Sequence, residues 1–97
     1  MGTAVGAVRG PARPRVSVVI PCLNEEHFIR RALDSLCAGS FPAEAMEILV
    51  VDGNSRDRTR ELVQQMAWED PRIRLLYNPR GTTPAALNIG IRAARGG

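Results

Sequence analysis

The chain has 97 residues, which is enough for one small domain. At 44% apolar and 24% charged it is not a disordered polymer. Its net charge of +3 comes from 13 basic residues, all arginine, set against 10 acidic ones, and Arg9, Arg13 and Arg15 lie at its start; the remainder is near neutral, so a nucleic-acid surface is not expected.

Residues 1–14 are rich in Gly, Ala, Pro and Arg, without periodicity, and read as a flexible basic tail. They lack the apolar stretch of a secretory signal. Order is expected from Arg15, with a strand through Ile20 that Pro21 ends, because proline lacks an N–H. Pro21 to Glu26 then forms the turn into a helix. Asn24 is its expected N-cap, and Glu25 and Glu26 put negative charge where the helix dipole favours it. Ile29, Ala32, Leu33, Leu36 and Cys37 make one apolar stripe at helical spacing. Gly39 is the expected stop, and Phe41, in the connection Ser40 to Glu44, is expected to tuck under the sheet.

The next stretch organises the chain. Glu47-Ile48-Leu49-Val50-Val51 ends abruptly in Asp52-Gly53-Asn54-Ser55. A short apolar run bounded by turn residues is a strand buried on both faces, hence a parallel sheet under helices. The turn presents a carboxylate at the strand's C-terminal end, the edge where open α/β sheets bind ligands. A second helix follows from about Asp57 to Trp68, with Thr59, Leu62, Val63 and Met66 inward and Ser55 or Asn54 as cap. Arg56, Arg58 and Arg60 read as its solvated face. Glu69-Asp70-Pro71 breaks it. Arg72 to Tyr77 is a third strand whose weaker apolar pattern suits a sheet edge. Asn78 to Gly81 is a turn, and Thr83 caps a third helix with Pro84 at its first position. Leu87, Gly90, Ile91 and Ala94 are its expected buried face, and Arg95-Gly96-Gly97 closes the chain.

The pattern β-α-β-α-β-α predicts a Rossmann-like α/β fold, a parallel three-layer sandwich with right-handed crossovers. The three strands should lie in the order 3-2-1. That leaves the apolar strand Val16 to Ile20 at an edge and argues for a further strand beside it.

Three turns converge at the C-terminal strand ends: Pro21 to Glu25, Asp52 to Ser55 and Asn78 to Gly81. A nucleotide is the expected ligand class. No glycine-rich phosphate loop follows the first strand, and Glu25 and Glu26 would repel phosphate. Asp52 suits a base N–H or a ribose hydroxyl instead. Cys22 and Cys37 form no disulfide framework, and Cys22 with His27 has no further ligands at zinc-site spacing. No apolar stretch approaches the ~20 residues of a membrane span, so a reduced, cytoplasmic setting is expected.

Val16-Ser-Val-Val-Ile-Pro-Cys-Leu-Asn-Glu-Glu, then Ile48-Leu-Val-Val-Asp-Gly-Asn-Ser-Arg-Asp-Arg-Thr, then Leu87-Asn88-Ile89-Gly90, resembles the start of family 2 glycosyltransferases of the GT-A fold. The likeness runs from about Arg15 to Gly97. It implies that residues 15–97 are the first, nucleotide-binding half of a domain that transfers sugar from a UDP- or GDP-type nucleotide-diphospho-sugar to a saccharide or lipid-linked acceptor. By the same resemblance Pro21 and the Asn24-Glu25 turn line the base and ribose and Asp52 reads the base; Ser55, in the Asp52 turn, and Arg80, as a positive charge from the third turn, complete the expected nucleotide-binding set. Many members carry a second acid where this chain has Gly53, and a basic residue where Leu87 stands. The resemblance also implies a divalent cation, Mg²⁺ or Mn²⁺, for the full-length member, held by an Asp-x-Asp that should follow the next strand. It leaves room for such a parent at the inner face of a membrane. None of these 97 residues is assigned a catalytic role, and alone they are expected not to transfer sugar. The readings set against this one are a non-catalytic nucleotide-binding or interaction module and a nucleotidyltransferase, which would need the missing phosphate loop.

Overall fold

The computed structural model describes residues 6–9, by backbone alone, together with 16–39 and 45–94. The expectations for Phe41 and for Arg95 to Gly97 lie outside the described residues. The elements follow as β1 (Gly6–Arg9), β2 (Val16–Cys22), α1 (Ile29–Cys37), β3 (Met46–Asp52), α2 (Thr59–Glu69), β4 (Ile73–Tyr77) and α3 (Thr83–Ala93). They build a sheet in the order β1-β2-β3-β4.

The strands β2, β3 and β4 are parallel and alternate with helices, so the Rossmann-like fold expected of a GT-A N-terminal half is what the chain adopts. The whole of β3 is buried, as its unbroken aliphatic run requires. Its residues alternate between two cores. Ile48 and Val50 meet Ile29 and Leu33 of α1 and Val63 and Met66 of α2. Leu49 and Val51 meet Val19 and Ala86 of α3 on the other face. The sheet is thus the middle of three layers.

Four local expectations are corrected. The flexible tail does not hold at Gly6–Arg9, which pairs antiparallel with Val16–Val19 and covers the edge that the sequence left open. Gly-Ala-Val-Arg is too short to carry a strand signal, so partner pairing decides it. Pro21 does not end β2, which continues to Cys22. Gly53 donates its N–H to the Cys22 carbonyl oxygen at 2.8 Å, so alternation turns the proline nitrogen to the other edge. There β1 pairs only as far as Val19, so no ladder bond is lost.

Asn24 does not cap α1. It stands at φ 53°, and α1 begins five residues later at Ile29, which is more than one helical turn away. Ile91 is exposed, and the inward face of α3 is carried by Ala86 and Gly90. The cause is close approach: a Cβ on Gly90 would lie 2.3 Å from Val19 Cγ1. The helix therefore contacts the sheet along its small residues, and Ile91 rotates outward.

Candidate functional site

Register fixes the site. Cys22 lies opposite Asp52, and Asp52 opposite Tyr77, so the three strand ends form one row. The backbone bonds continue past the strands, from Gly53 N–H to Cys22 O at 2.8 Å and from Asn78 N–H to Asp52 O at 2.7 Å. The three turns are therefore tied edge to edge.

Side chains of the second turn tie it to the first as well. The carboxylate of Asp52, fully buried, bends back over its own turn. Its Oδ2 accepts the N–H groups of Asn54 at 3.1 Å and Ser55 at 3.0 Å. Its Oδ1 accepts the Ser55 hydroxyl proton. The Ser55 oxygen in turn accepts the Asn24 N–H at 2.9 Å. A second set repeats the arrangement one residue on. Asp57 Oδ1 accepts the Thr59 hydroxyl, and Thr59 Oγ1 accepts the Glu25 N–H at 2.8 Å. Asp57 Oδ2 takes the Glu26 N–H at 3.2 Å, and Asn24 Oδ1 takes the Arg56 N–H at 2.8 Å. Asn54, at φ 73°, sits in the left-handed region that asparagine tolerates, and this turns the next peptide so that the Ser55 N–H also meets Asp52.

The chemical result concerns anions. In phosphate-binding α/β turns the backbone N–H groups at the helix N-terminus face the ligand. Here the N–H groups of Asn24, Glu25 and Glu26 are all engaged by the second turn. These three donors are therefore not free for an anion. Burial would push the Asp57 carboxyl up, but bonds from the Thr59 hydroxyl and from the Thr59 and Glu26 N–H groups outweigh it and hold the carboxyl below its usual range.

A cleft of about 250 Å³ opens beside these turns. Pro21, Leu23 and Glu25 form one wall, Gly53 and Val51 the floor, and Asn78, Gly81 and Thr82 the other wall. The volume lies just under the roughly 300–1,000 Å³ of complete small-molecule sites. Two glycines set its closeness: a Cβ on Gly53 would meet Gly81 Cα at 3.3 Å, and one on Gly81, at φ 73°, would meet Gly53 O at 3.2 Å. Cys22 also lines the cleft, but burial, and then the Asp52 carboxylate beside it, push its thiol up to about 12. It is not a nucleophile at neutral pH.

Of the six residues singled out in the sequence, Pro21 and Glu25 line the cleft. Asn24, Asp52 and Ser55 form the bonded layer behind it. Arg80 lines an adjoining groove of about 480 Å³ with Asn88 and Arg92, which meets the cleft at Asn78 and Thr82.

Two participants escaped the sequence reading. Thr59 was assigned to the apolar face of α2 and, with Asp57, to organising that helix's start; it is fully buried, and its hydroxyl also bonds the first turn. Its spacing from Ser55 and Asp57 was the available signal. Arg60 is not simply a solvated arginine: its Nε lies 3.6 Å from Asp52 Oδ2 and its guanidinium 5.9 Å from the Tyr77 ring centroid. Three alternating arginines gave no hint which one turns inward.

Among the described residues, no three His, Cys, Asp or Glu side chains gather to hold a metal ion. The carboxylates of Asp52 and Asp57 are already bonded within the chain. These residues do not fit the cation that the resemblance implies. No helix among the described residues is long and apolar enough to cross a membrane.

Comparison with known proteins bears on the same residues. Residues 17–97 match the family described as Glycosyl transferase family 2. The chain is 37% identical over 83 residues to an uncharacterized glycosyltransferase, EpsJ, of Bacillus subtilis (strain 168), covering 86% of this chain and 24% of that protein. It is 39% identical over 74 residues to the succinoglycan biosynthesis protein ExoA of Rhizobium meliloti (strain 1021), covering 76% and 22%. It is 30% identical over 83 residues to a hyaluronan synthase of Pasteurella multocida, covering 86% and 8%. In each case the chain spans a quarter or less of the relative's length.

Proposed function

The chain belongs to glycosyl transferase family 2, and from that premise we propose that its cleft binds the nucleoside part of a nucleotide-diphospho-sugar donor. The longer protein would transfer the sugar to a saccharide or lipid-linked acceptor, and residues outside 16–94 would hold the divalent cation and activate the acceptor. One observation carries the reading: every residue lining the cleft falls within the family match.

The chemistry of the walls agrees with it. Glu25 offers a carboxylate where a base N–H or a ribose hydroxyl would lie, and Thr82 adds a hydroxyl opposite. The N–H groups of Asn24, Glu25 and Glu26 are already taken and are not available to phosphate. The diphosphate would then leave the cleft past Thr82 toward Arg80. Asn24, Asp52 and Ser55 would shape the wall on which Glu25 is mounted. The setting proposed for the reaction is cytoplasmic, at the inner face of a membrane for a lipid-linked acceptor.

Calorimetric titration of the chain with UDP, GDP and inorganic diphosphate tests this. One nucleotide should bind, and inorganic diphosphate should not. Glu25→Gln should weaken the nucleotide about tenfold, the loss of roughly one hydrogen bond to a charged group. The chain alone should transfer no sugar. Equal affinity for inorganic diphosphate and nucleotide would overturn the assignment. Nucleotide binding without transfer by the longer protein would favour a non-catalytic module.

A further inference from the structure

We propose that Asp52 and Asp57 are positioning residues of this cleft, acting on the first turn through the hydroxyls of Ser55 and Thr59. The proposal rests on the reading of the cleft as a nucleotide site. It assigns Asp52 a role that needs no contact with the base.

A hydroxyl has one proton to donate and two lone pairs to accept with. An ionised carboxylate only accepts, so it dictates which way that proton points. Asp52 Oδ1 takes the Ser55 proton, which leaves the Ser55 lone pairs facing the Asn24 N–H at 2.9 Å. Asp57 Oδ1 takes the Thr59 proton, which leaves Thr59 facing the Glu25 N–H at 2.8 Å. Ser55 is 3% exposed and Thr59 0%, so water does not replace either hydroxyl.

The two relays grip successive residues. Asn24 is held at φ 53°, and the next residue is Glu25, whose side chain lines the cleft. The direction of Glu25 is therefore set from below, by groups that line no part of the cleft. The spacing of Asp52 and Ser55, then Asp57 and Thr59, becomes a device for aiming a neighbouring strand's turn. Exchange of either aspartate for asparagine adds a donor that can reverse the hydroxyl and drive its proton against the backbone N–H.

Amide hydrogen exchange of the ¹⁵N-labelled chain reads the relays without ligand, and titration with UDP and GDP reads their consequence. Thr59→Val should speed exchange at Glu25 by more than tenfold and leave Asn24 slow. Ser55→Ala should do the reverse. Thr59→Val should weaken the bound nucleotide roughly fivefold to tenfold, and Thr59→Ser should restore both exchange and affinity. If Thr59→Val does not fold, Asp57→Asn, at a half-buried position, makes the same prediction for Glu25. Unchanged exchange at Glu25 overturns the relay. Faster exchange with wild-type affinity overturns the positioning role. A wild-type chain that binds neither nucleotide overturns the nucleotide reading and the positioning role with it, while the exchange data still report whether the relays exist.

Discussion

Asp70 and Arg72 face each other across Pro71 at the start of β4. Arg72 gives Asp70 its backbone N–H and Nε, each at 3.0 Å, and its Nη2 at 2.6 Å. The Arg72 bonds hold the Asp70 carboxyl down at about 2. A depressed carboxyl stabilises the fold above its unfolded value near 3.9 and loses that contribution as pH falls through the folded value. Stability should therefore decline between about pH 4 and pH 2. Asp70→Asn should remove about 1–2 kcal/mol of that decline, seen as a smaller shift in urea midpoint between pH 5 and pH 2. At this scale the sequence placed a carboxylate but not its orientation. Asp52 was legible as a carboxylate at a strand end. That it turns inward depends on Ser55 and Cys22, and Cys22 is brought opposite it only by the register of β2 on β3.

Helix α3 shows how an element is placed by what it lacks. Gly90 sits in the middle of the helix, where glycine costs roughly 0.5–1 kcal/mol relative to alanine in isolation. Propensity alone therefore favours Gly90→Ala. Packing decides otherwise, because the new Cβ would lie 2.3 and 2.8 Å from the two Val19 methyl carbons. Gly90→Ala should lower stability by about 1–3 kcal/mol, measurable by chemical denaturation. A Val19→Ala change in the same chain should recover part of that. The alternation of strands and helices was readable because β3 is apolar throughout and the helices carry clear stripes. The start of α1 was not, because Asn24 and the two glutamates mimic a cap while their N–H groups serve the neighbouring turn. Neither was β1, whose four residues become a strand only beside β2.

Across the whole molecule, one polar tie links the layers at the end remote from the cleft. Arg74 of β4 donates to Glu47 Oε1 at 3.0 Å and to the Ala93 carbonyl at the close of α3 at 3.1 Å. Glu47 also accepts the Ser17 hydroxyl of β2 at 2.9 Å. The buried Glu47 carboxylate thus joins three strands, and the Arg74 guanidinium extends the tie to a helix. Arg74→Met should cost about 1.5–3 kcal/mol, the worth of a hydrogen bond to a charged group. Glu47→Gln in the Arg74→Met background should cost less than in the wild type, which a double-mutant cycle measures. The three-layer architecture followed from periodicity, whereas this tie joins residues 27 and 30 positions apart and no local pattern announces it.

Gly53 and Gly81 lie so near each other that a Cβ on either would crowd the other's backbone. The two positions are consequently one heritable choice, not two. A side chain at either crowds the other turn by a few tenths of an ångström, and once the turns have parted a side chain at position 53 meets less resistance, whereas Gly81, at φ 73°, keeps its backbone strain. An acid at position 53 therefore asks the third turn to give way by a few tenths of an ångström. Substitutions at these sites should show strong epistasis, with the second change milder than the first.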